Sequence, residues 1–145
     1  MHCDLEIIMR LTGLALALFL ITPAFADGAA PGQDLIGTSW TVRTLAGAPV
    51  AENVETTLEV RADGIGGKGG CNSYGGGFET RPGGIAFTQV FSTMMACPEP
   101  AMTQEQDWFQ ALEKTGQYRL DGDTLTLTDA AGNELATLAR TGAAD

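Results

Sequence analysis

One stretch limits the folds open to this chain more than any other. From Gly64 to Phe78 it reads Gly-Ile-Gly-Gly-Lys-Gly-Gly-Cys-Asn-Ser-Tyr-Gly-Gly-Gly-Phe, and it is answered by Ser92-Thr93-Met94-Met95-Ala96-Cys97-Pro98. A run so poor in side chains makes a weak isolated strand, and glycine within a strand marks a bulge or a close backbone approach. The expectation is that the two segments meet in space and that the fold is built across their meeting. On this reading a regular strand resumes only at Phe78-Glu79-Thr80.

The segments around this stretch alternate with a period of two. Thr38 to Leu45 places Trp40 and Val42 on one face, and Thr56 to Arg61 does the same with Leu58 and Val60. Ile85-Ala86-Phe87 alternates after the turn Arg81-Pro82-Gly83-Gly84. Gln117 to Leu120 and Thr124 to Thr128 flank Asp121-Gly122-Asp123, a hairpin signal, and Leu135 to Arg140 reads as the last strand. One helix is expected after Pro98-Glu99-Pro100. Thr103 and Gln106 have the spacing of a capping box. Glu99, Glu105 and Asp107 would complement the positive end of the dipole, and Lys114 the negative end. Met102, Phe109 and Leu112, flanked by Trp108, would form the apolar face, with Gly116 as the stop. Many short strands and one helix predict a mainly β chain: a small, closed or nearly closed antiparallel β-barrel with one α-helix packed on it.

The 145-residue length fits one domain. Residues 1–26 read as a signal peptide, with an apolar run from Leu11 to Ile21 and a small-x-small site, Ala24-Phe25-Ala26, at its end. Asp4 and Glu6 are out of place in a signal, so Met9 is the better start. Residues 27–34 read as a flexible linker, 35–140 as the domain and 141–145 as a tail. Loss of residues 1–26 removes Arg10, Asp4 and Glu6, leaving seven basic and sixteen acidic residues, a net charge of −9. Nucleic acid and anionic lipid both need a basic face and are disfavoured as partners. With the signal removed, no stable membrane anchor is expected, and the location is periplasmic or secreted.

The single histidine, His2, falls within the signal. Its loss removes the commonest general base and the commonest zinc ligand together. Cys71 and Cys97 then remain. An oxidising compartment favours a disulfide between them, with two buried free thiols as the alternative. They lack Cys-x-x-Cys spacing, and two thiolates without histidine make a poor zinc site. The glycine run is not a phosphate loop, because Lys68 is followed by Gly69 and the pattern's first glycine would fall at Ala62. Asp121-x-Asp123 lacks the remaining ligands of an EF-hand. Met94, Met95 and Met102 could form a soft-metal site, but core filling is the simpler reading, as it is for Trp40 and Trp108. Glu79, Arg81, Ser73 and Tyr74 are the candidates for an enzyme, and nothing in their spacing recommends one. No catalytic residue, cofactor or metal is assigned.

Taken in order, Gly37-Thr38-Ser39-Trp40, Gly70-Cys71-Asn72-Ser73-Tyr74-Gly75-Gly76, Thr93-Met94-Met95-Ala96-Cys97-Pro98 and the helix with Met102, Glu105 and Phe109 to Leu112 carry a resemblance. The chain resembles the META domain, the family of the HslJ heat-shock protein, over about Leu35 to Arg140. The motif positions are Gly70, Asn72, Tyr74, Gly76, Thr93, Met95 and Pro98. The resemblance implies a lipocalin-like barrel topology and a bacterial envelope protein linked to heat or antibiotic stress, without a known reaction. Met94 departs from the family, which often has a basic residue there. Read physically, the motif is an architectural junction. Asn72 tolerates left-handed backbone and bonds nearby backbone groups. The glycines allow close approach to the segment from Thr93 to Cys97, and Tyr74 has an apolar body and a polar tip. The expected role is therefore non-enzymatic: a monomer with a binding or structural role, its partner an envelope protein or a small apolar ligand, with a lipocalin-like carrier or inhibitor module as the alternative.

Overall fold

The computed structural model describes residues 30–143. The signal peptide, its cleavage site, the alternative start at Met9 and the first three residues of the segment read as a linker, 27–29, lie outside the described residues.

Nine strands form one antiparallel sheet. They are β1 (Thr38–Leu45), β2 (Ala48–Pro49), β3 (Thr57–Arg61), β4 (Gly64–Lys68), β5 (Ser73–Arg81), β6 (Gly84–Ser92), β7 (Gln117–Asp121), β8 (Thr124–Thr128) and β9 (Glu134–Ala143). The order is β6-β5-β4-β3-β1-β9-β8-β7, with β2 a short hairpin return on β1. The sheet curls into a half-barrel around α1 (Ala101–Lys114). The mainly β, antiparallel fold with one helix is as expected, but the ladder does not close. Its end strands β6 and β7 are drawn together by the Ile85 N–H, which donates to the Gly116 carbonyl at 3.0 Å.

Alternation places the core. Trp40, Val42, Leu58 and Val60 point inward from β1 and β3, and Leu125, Leu127, Ala136 and Leu138 do so from β8 and β9. Trp108, Ala111 and Leu112 meet them from the helix. Trp40 and Trp108 are completely buried, so both are core residues as expected. The Trp40 indole N–H donates to Thr38 Oγ1 at 2.7 Å, and the Arg140 guanidinium lies 4.4 Å from the Trp40 ring centroid.

Several local expectations need correction. Most of the glycine run is strand: β4 pairs with β5 from Ile65↔Gly76 to Lys68↔Ser73, with residues 69–72 as the loop between them, so β5 begins at Ser73 and not at Phe78. Tertiary packing overrides the weak propensity, because these strands lie against partners that leave no room for side chains. A Cβ on Gly75 would sit 2.7 Å from the Phe91 ring. At the chain ends, Gln33–Leu35 form a 3-10 turn, and the Gly32 N–H donates to the Tyr118 hydroxyl at 2.7 Å. The Tyr118 hydroxyl in turn donates to Asp34. The final residues of the segment read as a linker are therefore tied to β7. Strand β9 runs past Arg140, pairing Gly142 with Ser39 and Ala143 with Thr38, where a tail was expected.

The helix also differs. Thr103 and Gln106 form no capping box, since the helix starts two residues before Thr103. The Glu99 carboxylate instead accepts the Thr103 N–H at 3.0 Å. The stop is Thr115, extended, with its hydroxyl donated to the Ala111 carbonyl at 2.7 Å. Gly116 belongs to the following junction, where its N–H donates to the Thr128 carbonyl. The buried face of α1 is Gln104, Glu105, Trp108, Ala111 and Leu112. Two of the five are polar, and both serve the region described next.

Candidate functional site

The motif residues converge where the β4–β5 loop, the segment after β6 and the second turn of α1 meet. Glu105, only 4% exposed, is at the centre. Its Oε2 accepts the backbone N–H groups of Cys71 (2.9 Å) and Asn72 (2.5 Å), and its Oε1 accepts from Asn72 Nδ2 (2.7 Å). Among the described residues no lysine or arginine pairs with this carboxylate. Three N–H dipoles meet it instead, which is how a buried anion is tolerated without a counter-ion. The role expected for Glu105, complementing the helix dipole, is not the one it performs.

Asn72, also buried, passes the connection on. Its Oδ1 accepts from Thr93 Oγ1 (3.0 Å) and from the Met95 N–H (2.7 Å), while Nδ2 also donates to the Met95 carbonyl at 3.2 Å. The Thr93 N–H donates to the Ser73 carbonyl at 3.0 Å. Cys71 and Cys97 are joined by a disulfide, with Cα atoms 5.8 Å apart. The 93–97 segment is thus held twice, by sulfur and by the Asn72 amide. Asn72 acts through this side chain, and left-handed backbone is not part of its role, since the non-glycine residues with positive φ are Ala46 and Gln89.

Gly70 serves a different neighbour from the one expected. Gly70, at φ 144°, has room for a hydrogen only: a Cβ there would lie 2.9 Å from the Ala101 carbonyl. The close approach is therefore to the first turn of α1, and Asn72 makes the contacts to residues 93–95. Gly76 pairs with Ile65 in the ladder, and the Pro98 carbonyl accepts the Ala101 N–H as the chain enters the helix.

Tyr74 closes the inner side. Its hydroxyl donates to the Thr57 carbonyl at 2.7 Å, and its ring lies edge-on to Trp108 (6.4 Å) and Phe109 (5.5 Å). Burial pushes its phenol well above the ordinary tyrosine range, with the Trp108 indole opposing the shift and the Glu59 charge adding to it.

Gln104 is a residue that sequence reasoning missed. Its Oε1 accepts the Ala51 N–H at 2.9 Å, and its Nε2 donates to the Val54 carbonyl (3.1 Å) and to Thr56 Oγ1 (2.8 Å). The Thr56 hydroxyl donates to the Gly69 carbonyl at 2.9 Å. Two consecutive helix residues thus hold two loops: Gln104 the segment from Ala51 to Thr56, and Glu105 the motif loop. The available signal was spacing. Glu105 precedes Trp108 by three and Leu112 by seven, which puts a carboxylate in the apolar stripe of the helix.

The methionines require a further correction. Met94 is 94% exposed and Met95 58%, so neither fills the core. The physical reason is the Asn72 clasp, which turns the Met95 backbone inward and its side chain out. The enzyme candidates do not converge either. Ser73 and Glu79 are six residues apart on β5, about 20 Å along a strand, and Glu79 forms an exposed ion pair with Arg81 at 3.3 Å.

A family model described as the META domain matches residues 33–142. The chain belongs to the META domain family. Among solved structures, this META domain is similar to an NMR structure of a protein from Burkholderia xenovorans. The identity is 25%, the TM-score is 0.60, and 75% of this chain and 85% of that one are covered. A second NMR structure, at 20% identity and TM-score 0.59, covers 73% of this chain and 91% of its own and shares the fold. No curated protein matches the chain.

Proposed function

We infer that this META domain is exported to the periplasm or secreted, and that it acts without catalysis as a monomeric binding or structural protein of the bacterial envelope stress response. One observation carries the reading: the polar groups of the family motif are engaged with one another. The hydrogen-bonding atoms of the Asn72 side chain and both carboxylate oxygens of Glu105 are taken up by loop backbone, by the Thr93 hydroxyl or by each other. A group already satisfied within the fold is a poor catalyst, and a well-satisfied buried network rigidifies what it holds. The disulfide and the signal-like N-terminus support export.

The carrier alternative in its lipocalin form needs an interior cavity, whereas Trp40, Trp108, Leu58 and Leu138 occupy the inside of the half-barrel. Native mass spectrometry of the protein purified from its own periplasm tests the proposal. The expected species is a monomer beginning at Asp27, with no free thiol, carrying a bound partner or ligand. A chain retained in the cytoplasm with two free thiols overturns export. A turnover abolished by replacing Ser73 or Glu79 overturns the non-catalytic role.

A further inference from the structure

Open volume lies in a cleft of about 510 Å³ between β6 and α1. This is within the range of sites for small molecules. Phe87, Val90, Phe91 and Phe109 provide its apolar surface, and Phe91 is 69% exposed although aromatic. Gln89, in its wall, has a φ of 50°, left-handed for a residue with a side chain. It sits where the β5–β6 register slips between Gly75 and Gly77. Strain of this kind persists where the surroundings enforce it, and it clusters at ligand sites.

The charge around the cleft narrows the occupant. Glu113 is the one ionisable residue among the described residues lining it, and the remaining polar members are neutral. Lys114, the next residue, faces a separate cleft with Leu45 and Glu134. Aromatic faces attract cations through their quadrupole, and a carboxylate at the rim adds a formal charge of the same preference. We propose that the β6–α1 cleft is a binding site for a small organic cation with an apolar body, an alkyl- or aryl-ammonium, whose cationic head meets Glu113 and the phenylalanine rings. The inference rests on the binding role proposed above and deepens it by naming the ligand class. The net charge of −9 left after loss of residues 1–26 favours the approach of the same class.

Titration of the isotope-labelled protein with benzyltrimethylammonium, followed by amide chemical shifts, tests the assignment, with benzyl alcohol and phenylacetate as neutral and anionic counterparts. Saturable shifts are expected on residues 89–92 and 106–113 with the cation, weaker ones with the alcohol and none with the acid. Glu113→Gln should weaken the cation about threefold, as should Phe91→Ala. Both side chains lie at the surface, so both variants should fold. Equal affinity for benzyl alcohol, saturation elsewhere, or no shift with the cation overturns the inference. If native mass spectrometry finds a different ligand while the cleft resonances stay fixed, the binding role stands and this site falls. If neither method finds a bound species, both fall.

Discussion

The Glu105–Asn72 junction and the β6–α1 cleft adjoin the same helix and are opposite in kind. The junction is buried and polar, and its donors and acceptors are matched. The cleft is open and aromatic, with a strained residue in its wall. The contrast separates a region that fixes the fold from one that has surface to offer. The sequence motif marks the first, while the second contains only the edge of it. If the comparison is right, substitutions in the junction should act on stability, and substitutions in the cleft on binding.

The sharpest challenge is Glu105→Ala. It removes the acceptor for two backbone N–H groups and the Asn72 amide, and leaving such groups unpaired costs about 4 kcal/mol in total. Urea unfolding should show this loss, and a cost under about 1 kcal/mol would mean the junction is not the clasp described here. Next is the disulfide. Its sequence separation of 26 corresponds to about 3.5 kcal/mol in the chain-entropy account. Cys71→Ser/Cys97→Ser should lower the urea midpoint accordingly, yet keep the native shifts of Thr93 and Met95, because Asn72 still holds them.

Tyr74 gives a smaller effect with a pH signature. Tyr74→Phe should cost about 1 kcal/mol at neutral pH through the lost bond to Thr57. Its folded-state pKa is raised by burial, so its contribution is present below the unfolded value of about 10 and is lost as pH rises above it. Stability should fall above about pH 10 in the parent and less steeply in Tyr74→Phe. Tyr118, raised chiefly by burial and then by its hydrogen bond to Asp34, accounts for a further part of the fall, measurable with Tyr118→Phe. Smallest of all should be oxidation in the exposed segment. Peroxide should convert Met94 and Met95 to sulfoxides before the half-buried Met102, as peptide mapping would show, with about 0.5 kcal/mol or less lost. A large loss would place that segment with the junction.

Much of the fold was legible because alternation reports a half-buried sheet directly. Trp40 with Val42 and Leu58 with Val60 were placed inward by period alone, and Asp121-Gly122-Asp123 marked its hairpin. The candidate site was legible as a meeting of two segments but not in its detail. Propensity argued against strand in Gly64–Lys68 and Ser73–Gly77, because the room that Phe91 and the neighbouring backbone need is a property of the packed state. Glu105 read as a partner of the helix dipole because that reasoning considers one helix alone. The donors that justify burying it come from a loop more than thirty residues earlier in the chain.

By itself, then, the sequence determined class, strand faces and the likeness to the META domain, all of which rest on local periodicity and on a motif read in order. Only the tertiary structure decided which polar side chain is the keystone, that Met94 and Met95 face solvent, that the sheet stops short of closure, and that an aromatic cleft lies beside the helix. Those outcomes depend on which distant groups fill the space around a residue, and neighbours in the chain do not specify that.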